Sequence, residues 1–141
     1  MKMKIASEIE LFLYDIDNDF SPPLSSRMNI ANYAAKIIEK ATIFSINDQG
    51  RLNAFVAVYC NDTDRKFAYL TIMAVGKQYR GKGIAFILLR TCIEYLKMLN
   101  FNYLKLEVYK NNPRAIAIYK NFGFEIIDEN NTSFFMRLSI S

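Results

Sequence analysis

Two glycines one residue apart, flanked by cations, form the stretch of this sequence best equipped for chemistry. Gln78-Tyr79-Arg80-Gly81-Lys82-Gly83-Ile84-Ala85 lies where an apolar strand-like run ends and a helical pattern begins. Glycine lets the backbone curl closely around a ligand, and the first amides of a helix have no internal partner. Such a turn suits a pyrophosphate, because the helix dipole favours negative charge while Arg80 and Lys82 add positive charge outside the backbone cradle. The same spacing also serves as a plain tight connection, so both readings stay open on local grounds. ATP and dinucleotide sites fit less well: GxxxxGKS/T is absent, and the glycine that GxGxxG requires is replaced by Phe86.

Composition removes other chemistries. The chain has no histidine, which excludes a His-based triad, a His general base and a His-containing zinc site, and no metal is expected. Cys60 and Cys92 lack CxxC spacing and sit in strand-like and helix-like interiors, as buried reduced thiols of a cytoplasmic protein would. Lys2 and Lys4 are soon followed by Glu8, Glu10, Asp15, Asp17 and Asp19, which is not a secretory pattern, and no apolar run approaches the ~20 residues of a membrane span. The net charge of +4 is spread along the chain and interleaved with acids, so neither nucleic acid nor membrane is an expected partner.

The elements that must position the glycine turn follow from periodicity. Residues 5–14 carry a short apolar segment, and Asp15 to Ser26 is turn-rich, with Pro22-Pro23. Arg27 to Lys40 has helical spacing. Ala41 to Ile46, Leu52 to Cys60 and Lys66 to Val75 read as strands joined by Asn47-Asp48-Gln49-Gly50 and Asn61-Asp62-Thr63-Asp64, an antiparallel meander. A long helix runs from Ile84 to near Asn100, then a strand from Tyr103 to Val108, a short helix from Pro113 to Asn121, and closing strands Phe124 to Ile127 and Ser133 to Leu138. Proline in the first turn of that short helix costs no hydrogen bond. Ile84, Ile87, Leu88, Leu99, Ile116 and Phe122 are expected in the core. The expectation is an α/β (α+β) fold: one mixed, mostly antiparallel sheet with helices on both faces.

A second block, Leu106-Glu107-Val108-Tyr109-Lys110-Asn111-Asn112-Pro113-Arg114-Ala115-Ile116-Ala117-Ile118-Tyr119-Lys120-Asn121-Phe122-Gly123-Phe124, joins the glycine turn in a recognisable order. Over residues 41–138 the chain resembles the GNAT superfamily of N-acetyltransferases, whose Q/R-x-x-G-x-G/A motif matches Arg80 to Ala85 and precedes a strand and an Asn, Ala, Tyr, Gly-Phe segment. The resemblance implies one GNAT-like domain over 1–141, with residues 1–40 on the acceptor side and 41–138 binding acetyl-CoA. It implies further that the amides of Arg80, Gly81, Lys82, Gly83, Ile84 and Ala85 hold the CoA pyrophosphate. Met73 to Val75 looks like the family's splayed strand, pairing with the pantetheine arm and setting an amide near Val75 toward the thioester oxygen. Asn112 matches the asparagine near pantetheine, and Tyr119 the tyrosine near the thioester sulfur.

Tyr119 is neutral at pH 7 and can donate a hydrogen bond or proton to the departing sulfur, and an amide aimed at the oxyanion would stabilise the tetrahedral intermediate. Asn112 can equally be a plain N-cap. The resemblance places a general base on Lys66 to Met73, which holds no carboxylate; Glu107 or a water relayed by Tyr69, Thr71 or backbone carbonyls are the alternatives. The loop Ser21 to Arg27 could meet an anionic acceptor through Arg27, or cap the next helix through Ser25 or Ser26. The expected acceptor is a small amine or amino sugar, with a protein or peptide amine as rival and a non-catalytic acyl-CoA-binding module as the competing class. A homodimer is compatible with the sequence.

Overall fold

The chain reverses where polar turns and left-handed residues let it. The computed structural model describes residues 2–141, with side chains placed from residue 8 onward. Its elements are α1 (Lys2–Asp15), α2 (Ile30–Lys40), β1 (Thr42–Asp48), β2 (Arg51–Tyr59), β3 (Phe67–Val75), α3 (Ile84–Met98), β4 (Tyr103–Tyr109), α4 (Pro113–Phe122), β5 (Glu125–Glu129) and β6 (Ser133–Ser139). Gln49 and Gly50, at φ 52° and 75°, close the β1–β2 hairpin, the geometry that a two-residue turn between right-twisted strands favours. Asn100, at φ 66°, ends the turn that follows α3.

The fold is the mixed α/β arrangement expected from the sequence. Six strands form one sheet in the order β1-β2-β3-β4-β6-β5, antiparallel throughout except for β3 with β4. α3 and α4 cover one face, where Leu88, Leu89, Cys92 and Leu96 pack with Val56, Leu104, Leu106 and Met136. α1 and α2 cover the other, where Ile9, Leu13, Ala34 and Ile37 pack with Phe55, Ala57, Ile72 and Ala74. Central β2 is therefore buried on both sides.

Three details depart from the sequence reading. The apolar segment at 5–14 lies in the helix α1, whose Ile9, Phe12 and Leu13 share one buried stripe with Ile16 just past its end. Ile87 is 53% exposed because α3 turns it away from the sheet. Asn29, not Ser25 or Ser26, caps α2, its Oδ1 accepting from the Asn32 amide at 2.9 Å; Ser26 Oγ instead donates to the Pro23 carbonyl.

Candidate active site

The sheet opens at its centre. β3 and β4 pair only from Phe67 opposite Tyr103 to Leu70 opposite Leu106, although β3 continues to Val75 and β4 to Tyr109. The register of β3 against β2 shifts beside Thr71, between the Leu70 and Ile72 pairings, so the divergence begins at a bulge. Beyond it the strands separate and flank a cleft of about 800 Å3. Antiparallel pairing turns alternate peptide groups toward and away from a neighbour. The Gly76 amide donates to the Asn53 carbonyl of β2 at 2.8 Å, so the peptide edges of Val75 and Met73 face away from β2, into the cleft.

The glycine turn closes one end of that cleft. Gly81 and Gly83 sit at φ +78° and +77°, where a side chain would be strained. A Cβ at Gly83 would meet nothing within 4 Å, and one at Gly81 only Arg114 Nη2 at 4.0 Å, so open space fronts the turn. α3 starts at Gly83 with no side-chain cap, leaving its first amides for a ligand. These groups fit a pyrophosphate.

The cations are arranged differently from the sequence expectation. Arg80 does not stand free beside the turn: its Nε donates to the Val75 carbonyl at 2.9 Å and its Nη2 to Asp19 Oδ2 at 2.8 Å. Asp19 offsets its charge, and the guanidinium ties the turn, the end of β3 and the N-terminal loop together. Lys82 lies outside the cleft lining, its Nζ 5.9 Å from the Tyr79 ring centre. Arg114, beside Pro113 in the first turn of α4, lines the cleft instead. Its position next to a helix start was the only signal of this in the sequence.

Met73, Val75, Arg80, Gly81, Gly83, Ile84, Ala85, Asn112 and Tyr119 all line the one cleft. Asn112 Oδ1 accepts from the Ala115 amide at 3.2 Å, which caps α4 and leaves its Nδ2 donors free of that task. Tyr119 is 7% exposed, its ring set edge-on to Phe124 at 5.6 Å, and its hydroxyl has no hydrogen-bond partner among the described residues. Burial raises its pKa well above the phenol value of 10.0, so it stays protonated across the physiological range.

Opposite the glycine turn the cleft is lined by Tyr33, Tyr69, Thr71 and Glu107. Tyr33 Oη and Thr71 Oγ1 lie 2.6 Å apart, fixing α2 to the bulged strand. Glu107 is exposed and forms no ion pair among the described residues. Burial, and second the charge of Glu107, raise the pKa of Tyr69. The Ser21 to Arg27 loop is fastened over this side: Asn111 Nδ2 donates to the Ser21 carbonyl at 3.0 Å, and Arg27 donates to the Pro22 carbonyl at 3.0 and 2.7 Å while lying 4.1 Å from the Tyr109 ring centre. Most of Arg27 is thus spent holding the loop. Among the described residues no His, Cys, Asp and Glu cluster could hold a metal ion, and no helix is long and apolar enough to cross a membrane.

A sheet that parts at its centre, with a glycine turn and an uncapped helix at the opening, is the architecture of an acyltransferase fold. The chain belongs to the acetyltransferase (GNAT) family, whose model matches residues 10–124. It is 29% identical over 79 residues to the uncharacterized N-acetyltransferase YdgE of Bacillus subtilis (strain 168), covering 55% of this chain and 50% of that protein. The chain spans half or less of the length of the curated relatives it matches. Among solved structures, the ribosomal-protein-S18-alanine N-acetyltransferase of Escherichia coli is 26% identical with a TM-score of 0.70, covering 81% of this chain and 78% of that one. The PaiA N-acetyltransferase of Thermoplasma acidophilum, solved in complex with coenzyme A, shares the fold at 14% identity and a TM-score of 0.75, covering 95% of this chain and 94% of that one.

Proposed function

We propose that this chain is an acetyl-CoA-dependent N-acyltransferase of the EC 2.3.1 type, acting as one domain over residues 1–141 on a primary amine. The observation that carries the reading is the meeting, in one cleft, of the β3 peptide edge, the glycine turn and the Tyr119 phenol. The CoA complex of a neighbour with the same fold supports the donor. In this reading the amides of Gly81 to Ala85 take the pyrophosphate with Arg114 beside them, and the Met73 and Val75 edge takes the pantetheine arm. Asn112 adds its free Nδ2 donors to that arm.

The neutral amine attacks the thioester carbonyl, the C–N bond forms, and the Val75 N–H donates a hydrogen bond to the developing oxyanion, a contribution of about 3 kcal/mol at sites of this type. The C–S bond then breaks and CoA leaves. Tyr119 donates a hydrogen bond to the departing thiolate; full proton transfer is uphill, because burial holds this phenol above 10.0 whereas a thiol sits near ~8.5. The proton lost by the amine passes to Glu107 or to a water relayed by Tyr69 and Thr71. No covalent enzyme intermediate is needed.

A small amine or amino sugar is the acceptor in this reading. A peptide amine is the second reading, favoured by the 26% identity to an enzyme named for a protein alanine. A cytoplasmic location belongs to the same proposal, supported by two free cysteines. The test is a screen of amines with acetyl-CoA, read by thiol release. Turnover of at least one amine is expected. Thiol release from none of them, by protein whose melting temperature CoA still raises, would leave only a binding module.

A further inference from the structure

α1 packs on β2 and α2 on β1, and the Ser21 to Arg27 loop reaches the end of β4 at Tyr109, so among the described residues no helix covers the same sheet face over β6 and the rest of β4. Alternation decides what this bare face shows: Leu104, Leu106, Val108 and Met136 turn to the covered side and are buried, so Tyr103, Lys105, Glu107, Phe135 and Arg137 turn to the open one. Register places Tyr69, Lys105 and Arg137 in one row across β3, β4 and β6. Glu107 lies two residues further along β4 at the mouth of the cleft, its Cα about 7 Å from that of Lys105 by strand geometry, with the two charged ends of the row leaning away from it toward Phe67 and Tyr103.

Both cations of this row are held in place by aromatic rings. Lys105 Nζ lies 3.8 Å from the Phe67 ring centre, and Arg137 Cζ 4.5 Å from that of Tyr103; the two rings stack at 5.6 Å. Neither cation pairs with a carboxylate among the described residues, although Glu125 stands opposite Arg137 in register. Stacking occupies the face of a guanidinium and leaves its N–H edge for an anion. The cleft mouth therefore offers an unpaired carboxylate, with two unpaired cations one step beyond it on the same surface.

We propose that this row is a second foothold for the acceptor, which carries its amine at Glu107 and a phosphate or carboxylate held by Lys105 and Arg137. The proposal rests on the amine-acetylation reading and narrows it to acceptors with an anionic group near the amine. The test compares kcat/KM within two matched pairs: glucosamine against glucosamine 6-phosphate, and a short peptide amide with glutamate against glutamine in its third position. The anionic member of at least one pair is expected to be preferred about tenfold, and the pair that shows it identifies the source of the anion. About 0.5 M salt should shrink the preference, since these cations are solvent-facing. In a Lys105→Gln/Arg137→Gln variant the ratio should fall to within about threefold of unity, with the CoA-induced melting shift confirming the fold; the single variants serve if the double variant does not fold. Wild-type turnover of both members of each pair at equal efficiency would overturn the foothold while leaving N-acetylation standing. A preference that survives in the folded variant would overturn it as well, and no turnover of any amine would overturn the parent reading.

Discussion

Tyr119→Phe removes one oxygen from a residue that is otherwise fully engaged in packing. The ring contact with Phe124, edge-on at 5.6 Å, is kept, and the hydroxyl lost has no hydrogen-bond partner among the described residues, so the melting temperature should change little. The catalytic effect follows from what the hydroxyl is asked to do. A hydrogen bond to a charged acceptor contributes about 1.5–3 kcal/mol, and if it forms only as sulfur leaves, the whole of it appears in the barrier. The expected loss is about 10- to 150-fold in kcat, with the affinity for acetyl-CoA unchanged. The assay measures kcat by thiol release at saturating acetyl-CoA for both proteins, with circular dichroism to establish equal folding. A loss under about threefold would reduce Tyr119 to packing, because a CoA thiolate would then depart unaided. A loss confined to KM for acetyl-CoA would place the hydroxyl in ground-state binding instead.

Gly83→Asp should abolish the rise in melting temperature on adding CoA, since it puts a carboxylate and a strained φ of +77° at the start of α3; Gly83→Ala, which brings the strain alone, should weaken the rise without removing it. Retained binding by folded Gly83→Asp would make the turn a mere connection. Cys92 is fully buried and burial pushes its thiol up to about 12, so a thiol reagent at mildly alkaline pH should label the half-buried Cys60 and spare Cys92, as peptide mapping would show. Buried Tyr119 stays protonated in the native state at pH values where the unfolded chain ionises. This residue should leave stability unaffected below about pH 10 and above it contribute a fall of about tenfold in the folding equilibrium per pH unit; Tyr119→Phe should remove that contribution in denaturant titrations and leave those of Tyr33 and Cys92, whose pKa values burial also raises.

Much of the fold was legible because its signals are local. The Gln49-Gly50 turn, Pro113 at a helix start and the two glycines before Ile84 each state their conformation in one or two residues. α1 was missed although Ile9, Phe12, Leu13 and Ile16 have helical spacing, because exposed Leu11 and Tyr14 fill the gaps and blur the stripe into an apolar run. The place of β6 between β4 and β5 could not be read from chain order, since β4 and β5 follow one another in sequence but are not neighbours in the sheet. Nor could the open sheet face, whose Phe67, Tyr103, Lys105 and Arg137 are unremarkable one by one and meet only through register. Arg80 looked like a phosphate-side cation; only the tertiary contact with Asp19 reveals it as a tie.

The parting of β3 from β4 turns peptide edges toward the cleft at Met73 and Val75, and a peptide N–H is common to every residue except proline. On the proposed reading, donor binding places no demand on which side chain stands at those two positions, where only packing against the core under α3 asks for an apolar one, but it is strict at Gly81 and Gly83, where the backbone angle itself is at stake. In a saturation library the two kinds of position should separate: tolerance of most apolar residues with proline excluded at 73 and 75, and narrow tolerance of any side chain at 81 and 83.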